Sequence, residues 1–241
     1  MRHVEEDRPP SSLRGRLCEV FFSALVAEMI EPLLRRLGNK ATVDDPVFGP
    51  TAGPESLHGR LAAWLGLLNE HDGQYERTTT VVGADRDVTE GLFELRADGH
   101  HTMVPVAVLM ERKREREVAL RIYLGASTLG IKAAKGPKPT AQEAVVPTFA
   151  GEVLDALASG NAARVAAAFE QDGSLRDAAG VEHGRDAILR AIGGRTFHVE
   201  GVADDGRTCA VEASLGDRLA LFVFQRGDSG LVRSLRLYSE L

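Results

Sequence analysis

The stretch ATVDDPVFGP, residues 41–50, reads as a short strand over 41–44 that stops at Asp45 and Pro46 and enters a Pro/Gly-rich loop reaching Pro54. Upstream, Leu17, Val20, Phe21, Ala24 and Leu25 recur at i, i+3, i+4, i+7 and i+8, the stripe of one buried helix. Pro32 restarts a second helix over 31–37, since proline is tolerated in a helix's first turn, and Gly38-Asn39 closes it. Downstream a third helix covers 55–69. From Tyr75 the period changes to two, and strands are expected at 75–82, 87–95, 102–112 and 117–124, separated by Gly/Asp turns or charge.

The same order then returns. After small, polar and Pro/Gly residues over 126–145 that read as a linker, helices are expected at 149–158 and 162–169, a strand at 174–177 and a helix at 185–192. Strands at 196–202, 207–215, 218–225 and 231–238 finish the chain. Leu120-Arg121-Ile122-Tyr123, in the last strand of the first half, answers Leu235-Arg236-Leu237-Tyr238 in the last strand of the second. Asp45 answers Asp177. The expected organisation is an extension over 1–16, a domain over 17–125, a linker over 126–145 and a second domain over 146–241.

Composition narrows the function classes. The 241 residues carry 29 Lys+Arg against 35 Asp+Glu, a net charge of −6, which argues against a surface built to neutralise phosphates. Aromatics are only 5%, too sparse for a platform that stacks single-stranded nucleic acid. Two cysteines, Cys18 and Cys209, cannot form a zinc cluster or a disulfide framework and read as buried, reduced thiols. The N-terminus carries acids and two prolines where a signal peptide needs a basic and then an apolar run, and no segment is apolar for long enough to span a bilayer. No GxGxxG, P-loop or GxSxG pattern occurs. His100-His101, following Asp98-Gly99, reads as a hairpin turn without a third zinc ligand, and the mixed-sign run 111–117 reads as solvated. The expectation is a cytoplasmic protein without cofactor, metal, nucleic-acid partner or membrane segment.

The helix–helix–strand–helix order with ATVDDPVFGP in place resembles the nuclear-transport-factor-2-like (NTF2-like) superfamily, in its SnoaL-like and ketosteroid-isomerase-like branch. In the second half, ALASGNAARVAAAFEQDGSLRDAAG followed by GRDAI resembles the commoner SnoaL-like signature. The resemblance covers nearly all of 17–125 and 146–241, in tandem. It implies an α+β fold of two cystatin-like, cone-shaped rolls, each a bent antiparallel sheet wrapping three helices around an apolar pocket.

It also implies chemistry. Asp45 falls where ketosteroid isomerases carry their general base, and a carboxylate facing an apolar cavity has its pKa raised toward proton-transfer work. The oxyanion hole of those enzymes is absent, because its Tyr position falls on Phe21 and its protonated Asp position near Ala107. Epoxide-opening relatives pair the Asp with a second acid late in the third helix, and Glu70 and Asp72 stand there. The other reading of Asp45 is a cap on the loop before Pro46. Phe21, Trp64, Arg77, Glu90, Arg121 and Tyr123 are the expected substrate-binding residues. For Arg121 and Arg236 the alternative is a structural salt bridge.

The leading expectation is a cofactor-independent enzyme using Asp45 as acid/base, with Glu70 or Asp72, in isomerisation, cyclisation or epoxide opening of an apolar polyketide-, terpenoid- or steroid-like substrate. The alternative is a non-catalytic tandem module that binds an apolar ligand or mediates assembly. The halves are expected to pack on each other within the chain or to form a homodimer. The first half is expected to carry the site, since thirty positions separate Asp45 from the strand at Tyr75, against eighteen between Asp177 and Arg195.

Overall fold

The structure, a computed structural model, describes residues 16–97, 100–113, 117–131, 144–215 and 218–238. The N-terminal extension up to residue 15, the Asp98-Gly99 turn, the centre of the charged run (114–116) and most of the linker (132–143) lie outside the described residues. In the first half the elements are α1 (Leu17–Val26), α2 (Ile30–Leu37), β1 (Thr42–Asp44), β2 (Thr51–Ala52), α3 (Pro54–Glu70), β3 (Gln74–Val82), β4 (Arg86–Ala97), β5 (His100–Arg112) and β6 (Val118–Leu124). In the second they are α4 (Thr148–Ala158), α5 (Ala162–Ala168), β7 (Phe169–Arg176), β8 (Glu182–Gly184), α6 (Ile188–Ile192), β9 (His198–Asp204), β10 (Thr208–Leu215), β11 (Arg218–Arg226) and β12 (Val232–Tyr238). Among the described residues no helix is long and apolar enough to cross a membrane.

Each half builds a six-stranded sheet, ordered β2-β1-β6-β5-β4-β3 in the first and β8-β7-β12-β11-β10-β9 in the second. The two orders are the same when the strands are counted within each half, so the duplication extends to topology. It extends to register as well: Asp44 lies opposite Arg121 and Arg176 opposite Arg236, which puts Asp45 and Asp177 at equivalent positions one residue on. Both of these pairings are parallel, so the sheets are mixed where the resemblance implied antiparallel ones. Both sheets also carry a β-bulge at the same place, leaving Thr78 of β3 and Glu200 of β9 out of the ladder.

Three local expectations change. His100 and His101 begin β5 instead of forming a turn, paired opposite Ala97 and Arg96. Phe169 opens β7 instead of ending α5, because its side chain, 1% exposed, belongs to the core. The edge strands β2 and β8, of two and three residues, are too short for a period to show in sequence. The contrast in third helices holds, with 17 residues in α3 against 5 in α6.

Alternation along the strands sends one row of side chains inward and one outward. In the first half, Val104, Val106 and Val108 of β5 and Leu120, Ile122 and Leu124 of β6 face the helices. At the centre of that layer, the Phe22 ring lies 5.1 Å from Phe21, 6.2 Å from Trp64, 5.3 Å from Tyr75 and 4.8 Å from Phe93, centroid to centroid. Such edge-to-face and tilted contacts add to the burial of large rings. The aromatic side chains thus fill the space where the resemblance implied a pocket.

The outward rows of the two sheets meet each other. Val81, Val88, Ala107, Leu109 and Tyr123 of the first sheet pack against Ala203, Ala210, Leu221, Val223 and Tyr238 of the second. Into this apolar seam each sheet places one glutamate, the fifth residue of β4 and of β10: Glu90 is 0% and Glu212 2% exposed. Arg236 grips Glu90 with both arms of its guanidinium, at 2.7 and 2.9 Å, and the Tyr238 hydroxyl donates to the same carboxylate at 2.7 Å. Reciprocally, Arg121 donates to both oxygens of Glu212, the Tyr123 hydroxyl donates to Oε1, and Arg86 adds a bond at 3.0 Å. Burial and the neighbouring glutamate push both tyrosine pKa values well up, so the hydroxyls stay protonated donors. The repeated LRxY strands are the two halves of one lock.

Removing one partner of a buried pair leaves an uncompensated charge, at a cost of about 3–5 kcal/mol, whereas replacing both by apolar groups is often nearly neutral. Arg236→Met is therefore expected to lower the unfolding free energy by about 3–5 kcal/mol in urea denaturation. The Glu90→Leu/Arg236→Met double variant should recover most of the loss. A loss below about 1 kcal/mol in the single variant would mean that apolar contact alone holds the seam.

Candidate functional site

Asp45 sits just past the end of β1, 1% exposed. Its Oδ1 accepts the backbone N–H groups of Val47 at 3.0 Å and Phe48 at 2.7 Å, and its Oδ2 accepts from Arg60 of α3 at 3.3 Å. Burial raises its pKa, and the Phe48 N–H and the Arg60 charge oppose that rise. The indole of Trp64 lies near enough to favour the carboxylate too, although its buried N–H completes no hydrogen bond. Arg60 is in turn stacked over the Phe48 ring, 5.3 Å from its centroid, which closes the loop over the carboxylate.

Asp177 repeats this arrangement. Its Oδ1 accepts from the N–H groups of Ala179 at 3.0 Å and Val181 at 2.9 Å, and its Oδ2 meets His183 Nε2 at 2.8 Å. In each half, then, one oxygen ties down the loop after the first strand and the other meets a side chain from a later element. An aspartate that bonds the backbone two to four residues on is a turn-forming device. The two sites differ in burial, since the Asp45 side chain is 0% and that of Asp177 28% exposed.

The residues expected around Asp45 lie elsewhere. Glu70 ends α3 ten residues after Arg60, about 15 Å further along the helix axis, and is exposed. Asp72 is exposed in the following turn, its backbone in the left-handed region at φ 45°, and pairs with Arg96 at 3.7 Å. Phe21 and Trp64 are core rings. Arg77, with half its side chain exposed, reaches Glu19 at 3.9 Å. Glu90, Arg121 and Tyr123 lie in the seam, because Leu120 and Ile122 already take the inward positions of β6 and Phe93 and Leu95 those of β4. The structure does not gather the nine expected residues into one site.

It does expose a carboxylate that the sequence reading passed over. With Val43 turned inward, Asp44 faces outward beside Arg121, in a groove of about 290 Å³ lined by Thr42, Asp44, Thr51, Lys113, Ala119 and Arg121. Its Oδ1 is buried without a hydrogen bond. Burial, then the negative charge of Asp45, push its pKa up to about 6 against the pull of Arg121 and Arg60. The signal was present in the Asp44-Asp45 doublet, but only register places Asp44 beside an arginine. Among the described residues, no group of three or more His, Cys, Asp or Glu is placed to hold a metal ion. Cys18 and Cys209 are free and buried, and burial pushes the Cys209 thiol up to about 12.

No family model and no curated protein matches the chain. Among solved structures it is similar to a protein with a ketosteroid isomerase-like fold from Catenulispora acidiphila, at 19% identity and TM-score 0.36, over 46% of this chain and 86% of that one. An NTF2-like protein from Cytophaga hutchinsonii matches at 16% identity and TM-score 0.33, over 46% and 88%. A bacterial protein with a cystatin-like fold from Silicibacter pomeroyi matches at 17% and 0.34, over 38% and 72%. Each covers between 38% and 46% of this chain.

Two outcomes follow from this geometry. Asp45→Ala strands two part-buried N–H groups and the Arg60 guanidinium and is expected to cost about 1–3 kcal/mol of stability, while Asp177→Ala, at a wetter site, costs about 1 kcal/mol or less. Equal losses in denaturant titrations would contradict the difference in burial. For Asp44, a folded-state pKa above the unfolded one means that the folded protein keeps a proton which the unfolded chain releases between about pH 4 and 6. Stability contributed by this group therefore falls as the pH rises through that window. Asp44→Asn should melt above the parent protein at pH 7.5, with the difference closing by pH 4.

Proposed function

We propose that the chain is a non-catalytic tandem NTF2-like module, in which the second unit is the built-in dimer partner of the first and function lies in binding or assembly. The observation that carries this reading is the state of Asp45, whose Oδ1 is tied to two backbone N–H groups of its own loop and whose Oδ2 accepts from Arg60. A general base must offer a lone pair to substrate within hydrogen-bond reach. The matching use of Asp177 supports an architectural role, since one geometry recurs in two differently lined settings. The space beside Asp45 holds packed rings, and Glu70 and Asp72, the acids that would complete an epoxide-opening pair, stand in solvent.

A second reading keeps an acid/base enzyme acting on a small molecule, with the carboxyl moved by one residue. Burial pushes the Asp44 pKa up to about 6 in an open groove, which suits proton transfer. The two readings separate in one assay. The purified chain is offered a Δ5-3-ketosteroid and a terpenoid epoxide, beside Asp44→Asn and Asp45→Asn. The module reading expects no turnover above the rate in buffer. Turnover that falls by about 10²–10⁴ in a folded Asp45→Asn variant would restore Asp45 as the base, and the same fall in Asp44→Asn alone would assign the chemistry to the groove.

A further inference from the structure

The seam covers the outward row of β3 to β6, and β1 and β2 carry the same face of the first sheet past it. There lies the groove of about 290 Å³ in which Asp44 stands beside Arg121, its neighbour in the parallel ladder. The two opposite charges form no ion pair, because Arg121 turns to the second half and gives Nε and Nη2 to Glu212 and Glu111. Among the described residues Nη1 then donates to nothing, and neither Asp44 oxygen accepts. Asp44 Oδ1 is enclosed. Asp44 Oδ2 and Arg121 Nη1 are unbonded without being enclosed, so these two atoms are the ones open to the groove.

The second half shows the same place with its bonds filled. Register makes Arg176 the counterpart of Asp44, Ser234 that of Ala119 and Glu182 that of Pro50. There Arg236, the counterpart of Arg121, also gives Nε and Nη2 to a buried glutamate, but its Nη1 donates to Ser234 at 2.8 Å and to Gln225 at 3.4 Å. Arg176 pairs with Glu182 at 3.2 Å, and Ser174 donates to the same carboxylate at 2.6 Å. In the first half Ala119 offers Nη1 no hydroxyl, Glu111 in the place of Gln225 takes Nη2, and Pro50 offers no charge to the residue opposite. Three replacements thus clear one groove of the bonds that saturate the other. Lys113, exposed on the groove wall and without an ion pair among the described residues, adds a second cation.

We infer that this groove binds a small zwitterion, a free α-amino acid, with Asp44 Oδ2 accepting from its ammonium group and Arg121 Nη1 and Lys113 Nζ donating to its carboxylate. Opposite charges held apart on one wall call for a ligand that carries the complementary pair, and charge-assisted bonds at both ends are the strong kind. A simple anion would meet Asp44 and a simple cation would meet Arg121 and Lys113, so each of these is opposed by a like charge. The small volume and the apolar surface of Pro50, Ala52 and Ala119 select a short aliphatic side chain. The inference deepens the module reading by naming a ligand, and rests on it for binding without turnover. The two fail separately, because binding is read below by chemical shift and turnover by the assay above.

The test is titration of the full chain with L-valine, 3-methylbutanoate and 2-methylpropylammonium, followed by amide chemical shifts. It is run at constant ionic strength and pH 7.5, above the Asp44 pKa of about 6. Saturable shifts with valine are expected, centred on β1 and on residues 113 and 119–121. The other two ligands, each lacking one of the charges, should bind at least about ten-fold more weakly. Asp44→Asn should weaken valine by at least about ten-fold and leave 3-methylbutanoate no weaker, whereas Lys113→Met should weaken both. Asp44→Arg with Pro50→Glu, which rebuilds the ion pair of the second half, should abolish valine binding. Arg121 is left intact because it holds the seam. If Asp44→Asn does not fold, Lys113→Met at its exposed position decides. Absence of saturable valine shifts, equal affinity for the three ligands, or valine affinity unchanged in these variants would overturn the inference.

Discussion

A carboxylate buried between two apolar sheet faces must have a cation brought to it, and in this protein the cation for each half sits on the other half. Glu90 of the first sheet is held by Arg236 and Tyr238 of the second, and Glu212 of the second by Arg121 and Tyr123 of the first. Neither unit can leave without stranding a charge in low dielectric, where the penalty is several kcal/mol per ion. The same faces carry Val81, Leu109, Leu221 and Val223, an apolar area that would be open to water on a separated unit. Reciprocal contacts of this kind are those of a two-fold symmetric dimer, realised within one chain.

That constraint decides which polar groups remain for function. The seam takes Glu90, Arg121 and Tyr123, the core takes Phe21 and Trp64, and the loop after β1 takes Asp45. Two places then depart from the two-fold pattern. Asp44 has Arg176 as its counterpart, so one groove holds a carboxyl whose pKa burial pushes up to about 6 where the other half presents an exposed guanidinium. Glu200 has Thr78 as its counterpart, so only one of the two equivalent bulges carries a carboxylate. In a fused pair such positions vary independently, whereas in a homodimer each change would appear twice.

Much of this was legible in the residues. The stripe Leu17–Val20–Phe21–Ala24–Leu25 and the alternation through β4, β5 and β6 placed the elements to within a few residues, because periods of 3.6 and 2 are read directly from apolar spacing. The Leu120–Tyr123 and Leu235–Tyr238 strands announced the duplication, and the shared register confirms its meaning. Strands of two or three residues, β2 and β8, carry no period and were missed. The site was less legible. Alternation says that Arg121 and Leu120 point to opposite faces, but not that the outward face is covered by a second sheet.

The amino-acid sequence by itself determined the element order, the tandem repeat, the alternation along the strands and the conformational role open to an Asp before a proline. Each of these depends on neighbours within a few residues. The tertiary structure alone decided that Asp45 accepts from Val47, Phe48 and Arg60, that Arg121 answers a glutamate 91 residues away, and that Glu200 is buried with one oxygen unpaired. Those are statements about which charge meets which partner. Such pairing depends on the packing of distant surfaces, which local periodicity does not encode.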